Sequence, residues 1–235
     1  MGPTGSGKST FINAIVNKEV ALVGHGLSTC TQQIKAHKYV LSQNSEVYPG
    51  KTVVLVDTPG FDDTAMHDST RVFKDVVQWA AEYPKKQETS AGGKNSPGRI
   101  TGFIYLQDIS QKRINNRQNI DFSRLQQLLG EPGSESYSKL FLATFQWPPK
   151  PSELTSPSSV VDTTTAAATR GSASQSLIYQ QAEDREKELK KKFWKDLVDK
   201  GARMVRVEDS VHDPHAVLLE VLRTLGQISS PLNPP

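Results

Sequence analysis

Apolar positions follow two periods along this chain, and the switches between them mark out the elements. Behind the opening MGPTGSGKST, Phe11, Ile12, Ile15 and Val16 recur at helical spacing, which predicts a first helix over about residues 8–17. Residues 34–41 then roughly alternate apolar and polar. In KTVVLVDTPG the four residues Val53, Val54, Leu55 and Val56 form an unbroken apolar run ending at Asp57. These two stretches read as neighbouring strands joined by a polar turn around Asn44, Pro49 and Gly50. DSTRVFKDVVQWAAEY returns to the helical period with Val72, Phe73, Val76, Val77 and Ala80 inward, and residues 84–98 read as a polar loop. TGFIYLQDI and KLFLATFQW are two more buried strands, separated by a short helix, DFSRLQQLLG, that Gly130 closes. Strands alternating with helices predict a parallel sheet covered on both faces.

The pattern lapses over residues 148–176, PPKPSELTSPSSVVDTTTAAATRGSASQS, where large apolar side chains are too sparse to offset the entropy of ordering. Helical sequence is expected again from about Gln181, then a strand at MVRV, a last helix at PHAVLLEVLRTLG and a disordered QISSPLNPP tail. The expected organisation is one domain in two parts, 1–147 and 180–226, around a disordered insert at 148–179, with a tail at 227–235.

Composition narrows the function classes. At 235 residues with 36% hydrophobic and 23% charged content the chain suits one sizeable α/β domain. A net charge of +3 spread among mixed signs leaves no nucleic-acid footprint. The apolar runs are far shorter than a bilayer span, so no transmembrane segment is expected. The single cysteine, Cys30, excludes an intrachain disulfide and a cysteine-based zinc cluster, and a cytoplasmic setting fits.

The chemistry-bearing residues sit at the ends of these elements. Gly2, Pro3, Thr4, Gly5, Ser6, Gly7, Lys8 and Ser9 spell G-x-x-x-x-G-K-S and, with Thr10, open the first helix. In such a loop backbone amides wrap phosphate oxygens, the helix adds its positive dipole end, the lysine supplies a charge to the β- and γ-phosphates, and the serine hydroxyl ligates Mg²⁺. Asp57 places a carboxylate at the carboxyl edge of the sheet and begins D-T-P-G, in which Gly60 can turn its amide toward a γ-phosphate. A threonine covering the metal is expected between the two motifs; Thr31 is the first choice and Thr29 the second. The expected catalytic residues are Lys8 and Thr31, and the expected metal residues Ser9, Thr31 and Asp57. Phe61 follows D-T-P-G where many GTPases place a water-orienting glutamine.

GPTGSGKSTFIN, GLSTCT, VDTPGFDDT, GFIYLQDIS and FWKDLVDKGARMVRV together resemble small fungal G-domain proteins of the septin-like and immune-associated group of P-loop GTPases. The resemblance spans nearly the whole chain apart from the insert and the tail. It implies a three-layer P-loop NTPase sandwich with a mostly parallel central sheet, and GTP with Mg²⁺ as ligands. A GTP-binding switch with slow hydrolysis is the leading expectation, with homodimerisation through the nucleotide face as an associated partner mode.

The chain departs from the pattern twice. KLFLATFQW ends in Thr144, Gln146 and Trp147 with no aspartate just beyond, so the guanine reader N-K-x-D is missing, and Trp147 is left either to stack on a base or to pack against the domain. Only Met1 stands ahead of Gly2, where an apolar strand should lie; the sheet is therefore expected to have a gap at its centre, and the 235-residue form to bind nucleotide weakly. Two other readings stay open. One is a transporter- or secretion-type ATPase, although no strand ends in Asp-Glu and no serine-glycine-glycine signature occurs. The other is a degenerate P-loop module that works by binding partners. The five histidines lack metal-ligand spacing, and EDREKELKKK reads as a solvated helix face.

Overall fold

The structure, a computed structural model, describes residues 1–23, 31, 33–60, 69–88, 100–112, 137–151, 165–209 and 212–229. Thr29, Cys30, Phe61 and the expected helix at 121–130 lie outside the described residues. The elements run α1 (Lys8–Val16), β1 (Lys35–Val40), β2 (Thr52–Asp57), α2 (Ser69–Glu88), β3 (Phe103–Asp108), β4 (Leu140–Phe145), α3 (Thr165–Glu188), a π-turned segment (Leu189–Phe193), α4 (Lys195–Asp199), β5 (Arg203–Arg206) and α5 (Asp213–Ser229).

β4 organises the core. All six of its residues are buried, and it pairs in parallel with β3 on one side and β5 on the other. Alternation along the strand sends Leu140 and Leu142 to one face and Phe141, Ala143 and Phe145 to the other. The first face is covered by Val72 and Phe73 of α2, Ala182 of α3, Trp194 and Leu197. The second is covered by Phe11 and Ile15 of α1 and by Val217, Leu218 and Val221 of α5. Helices on both faces explain why β4 is apolar at every position but Thr144, and burying Phe141 or Phe145 contributes roughly 1.5–3 kcal/mol each.

β1 and β2 form a separate antiparallel pair, Lys35 opposite Asp57 through Val40 opposite Thr52. Among the described residues the strands therefore stand in two sheets, with β2 and β3 facing each other across the expected gap.

Several expectations change. Val77 is exposed, whereas Val72, Phe73 and Val76 of α2 are buried and Ala80 is half-buried. The helix also runs through Pro84 to Glu88, past the expected loop start; a proline costs one ladder bond, and the helix continues across it here. In the expected insert, α3 already begins at Thr165, since TAAATRGSASQS is rich in alanine, the strongest helix former, despite its few apolar anchors. The expected tail starts inside α5, which extends to Ser229. The charged run is solvated only in part: Lys187 pairs with Asp184 and Lys192 with Glu188 in solvent, whereas Arg185 donates to Ile109 O and Glu186 accepts from Thr144 Oγ1.

Candidate functional site

The loop from Gly2 to α1 turns on residues held at positive φ. Gly7, at φ 87°, caps α1 in the left-handed region, and a Cβ there would fall inside the Phe145 ring, so only glycine fits. Lys8, the first helical residue, is buried and curls back over its own loop; its Nζ donates to Gly2 O at 3.1 Å and Pro3 O at 2.7 Å. The ammonium is thus held above the cradle formed by the loop backbone.

One residue further along α1, Ser9 faces the end of β2. Its Oγ donates to Asp57 Oδ2 at 2.8 Å and lies 3.3 Å from Thr31 Oγ1, which in turn reaches Asp57 Oδ2 at 3.4 Å. Three oxygens from three separate parts of the chain meet at one point. Asp57 is only 2% exposed, and its second oxygen, Oδ1, is buried with no hydrogen-bond partner among the described residues. A buried, half-satisfied carboxylate is costly alone and is suited to accept from an ordered water. Hydroxyl and carboxylate oxygens are hard donors that suit Mg²⁺, which retains several waters and takes few protein ligands. The residues present fit that ion.

D-T-P-G closes against the phosphate loop. A Cβ on Gly60 would lie 2.6 Å from Thr4 N, so this approach is open to glycine alone. Thr58 Oγ1 and Ser6 Oγ are also buried without hydrogen-bond partners among the described residues.

At the carboxyl end of β4, Gln146 adopts φ 60° and donates from Nε2 to Gly5 O at 2.9 Å, tying this strand to the loop. Sequence reasoning missed this tie, since nothing in TFQW announces the left-handed backbone that aims the side chain. Trp147 is buried, donates through Nε1 to Thr144 Oγ1 at 3.1 Å, and carries the Arg206 guanidinium 4.2 Å above its ring. Packing against the domain is therefore its place here. Arg206 is paired with Glu186 and Glu208, which raise its already high pKa further. Burial pushes Glu208 upward, yet Lys150, the Tyr179 hydroxyl and Arg206 outweigh it and hold its carboxyl below the usual range.

His212 and His215 stand apart from this site: His212 pairs with exposed Asp209, and His215 meets the Tyr39 hydroxyl at 3.0 Å. No group of three or more His, Cys, Asp or Glu able to hold a metal occurs among the described residues.

A glycine loop feeding a helix, an aspartate ending the strand beside it, and helices on both faces of a parallel sheet decide the architecture. The fold is that of a P-loop NTPase. Residues 1–91 match the family described as 50S ribosome-binding GTPase, a span that contains the loop, Thr31 and D-T-P-G. Over those residues the chain is similar to a GTPase domain. No curated protein matches the chain. No described helix is long and apolar enough to cross a membrane.

Proposed function

We propose that this P-loop protein binds GTP with Mg²⁺, hydrolyses it slowly and acts as a cytoplasmic molecular switch of the fungal septin-like and immune-associated kind. The observation carrying this reading is the convergence of Ser9, Thr31 and Asp57 beside the phosphate loop. In the proposal Lys8 exchanges the carbonyls of Gly2 and Pro3 for phosphate oxygens, and Gly60 offers its amide to the terminal phosphate. Ser9 and Thr31 hold the metal directly and Asp57 holds it through water. When bound, Mg²⁺ would neutralise phosphate charge. Thr31 is the switching residue because it reaches the site from outside the sheet and touches it only through 3.3–3.4 Å contacts. A homodimer through the nucleotide face would bring a second chain against Thr31 and the D-T-P-G loop.

Slow turnover is supported by Phe61, whose ring cannot orient a water. GTP over ATP is supported by D-T-P-G and by the GTPase description of the matching family. The non-enzymatic reading draws on one observation: the β4 end spends Gln146 on the loop and buries Trp147, with no acidic residue among 146–151 to read guanine. Fluorescent GTP and ATP analogues titrated with and without Mg²⁺, then single-turnover phosphate release, separate these readings. Metal-dependent GTP binding with slow release is expected; equal affinity for both bases, or none for either, would overturn the GTPase reading.

A further inference from the structure

The backbone N–H of Trp194 donates to Leu189 O at 2.8 Å, five positions back instead of four, so the chain makes one π turn over Leu189–Phe193 between α3 and α4. Five residues carry a regular α-helix about 500° round, which would leave Trp194 about 140° away from Leu189. The widened turn returns both side chains to the apolar cluster on the α3 side of β3, where Trp194 meets Tyr105 edge to face at 6.3 Å. The residues between them are pushed outward together. Lys190, Lys191, Lys192 and Phe193 are all exposed, four in succession.

This outward turn is strongly basic. Residues 187–195 hold five lysines against one acid, Glu188. Glu188 pairs with Lys192, while Asp184 and Asp199 pair with Lys187 and Lys195 at the two ends. Every member of these pairs lies in solvent, so the pairs are weak and their lysines can turn to another anion. Lys190 and Lys191 have no ion pair among the described residues. Phe193 sits among these ammonium heads and is 40% exposed, although a phenyl ring gains nothing from water.

The patch is separate from the phosphate loop. Glu186 meets Thr144 near the carboxyl end of β4, whereas Lys200 O accepts from Tyr137 N just ahead of that strand. The π turn falls between these two contacts on the outer flank of the domain.

The chemistry of the turn selects its partner. Residues 187–195 contain lysine and no arginine, and the nearby guanidinium groups are committed, Arg185 to Ile109 O and Arg206 to Glu186 and Glu208. Bidentate reading of single phosphates or carboxylates is therefore absent, and point charges on flexible stems remain, which suit a diffuse anionic surface. One ring among lysines offers a nucleic acid a single stacking position and no groove to track its backbone. At a bilayer the same ring enters the boundary between headgroups and acyl chains while the lysine heads stay among the headgroups.

We propose that the π turn is a docking patch for an anionic lipid bilayer, with Lys190, Lys191 and Lys192 in the field of the headgroups and Phe193 inserted between them. The chain then lies on the membrane surface without crossing it. The patch shares no residue with the phosphate loop, so the inference stands independently of nucleotide identity.

The test mixes the full chain with phosphatidylcholine vesicles that contain or lack phosphatidylserine and reads the bound fraction by co-sedimentation. Binding should require phosphatidylserine and weaken as salt is raised. Lys190→Gln combined with Lys191→Gln should weaken it at least about tenfold, and Phe193→Ala should weaken it several-fold. Both variants should keep the parent's melting temperature and nucleotide-analogue binding, since the altered side chains are exposed and lie away from the loop. Equal binding to both kinds of vesicle, or equal binding by the double-glutamine variant, would overturn the docking patch. Unchanged binding by Phe193→Ala would overturn the insertion of the ring. If the parent ignores the vesicles yet binds polyglutamate or a single-stranded oligonucleotide through the same two lysines, the membrane assignment is refuted.

Discussion

Ser9 Oγ donates to Asp57 Oδ2 at 2.8 Å, joining the first turn of α1 to the last residue of β2 across 48 positions of sequence. The bond locks the phosphate loop's helix to the strand that presents D-T-P-G, and Thr31 closes on the same oxygen at 3.4 Å. Two motifs that are separate in the sequence become one site through this contact.

Asp57→Asn keeps the size of the side chain and removes its charge. Water-mediated metal holding should weaken, so the Mg²⁺ concentration needed for half-maximal GTP binding should rise about tenfold, or about 1.4 kcal/mol. Titrating Mg²⁺ at fixed nucleotide reads this directly. An unchanged metal dependence would remove Asp57 from the metal site.

Lys8→Ala removes the ammonium that Gly2 O and Pro3 O hold over the loop. Nucleotide affinity should fall at least about tenfold by equilibrium titration. The melting temperature of the unliganded chain should change less than its affinity does, because the lysine head serves the loop and not the apolar core.

Gly60→Ala forces a methyl group against the backbone of Thr4, which has no rotamer through which to yield. The D-T-P-G turn should be displaced from the phosphate loop, with loss of about 1–3 kcal/mol of stability and a lower GTP affinity. Denaturant unfolding and a GTP titration of the same variant would show both.

Hydrolysis by the purified monomer should run well below the usual enzyme median of about 10 per second, because Phe61 cannot orient water. Phe61→Gln should accelerate single-turnover phosphate release. A brisk rate in the parent chain, unchanged on dilution, would contradict the proposed slow switch.

The sequence alone determined the elements whose cause is local. Gly2 to Ser9 named the phosphate loop because its backbone demands glycine at fixed places. The period of Phe11, Ile12 and Ile15 set α1, and the runs at Val53 and Leu140 set β2 and β4, because burial on one or two faces writes itself into spacing. It erred where local and global preferences diverge: composition concealed the alanine-rich start of α3, and helical period alone could not say that Val77 faces water. The tertiary structure alone decided what long-range contact creates. A lone threonine has no signature, so Thr31 became part of the site only when the fold carried it to Ser9 and Asp57. Gln146 reached Gly5 through a positive φ that its neighbours do not announce. The gap in the sheet was expected from the sequence, but which side chains of α1, α2 and α5 cover the space between β2 and β3 was decided by packing between distant elements.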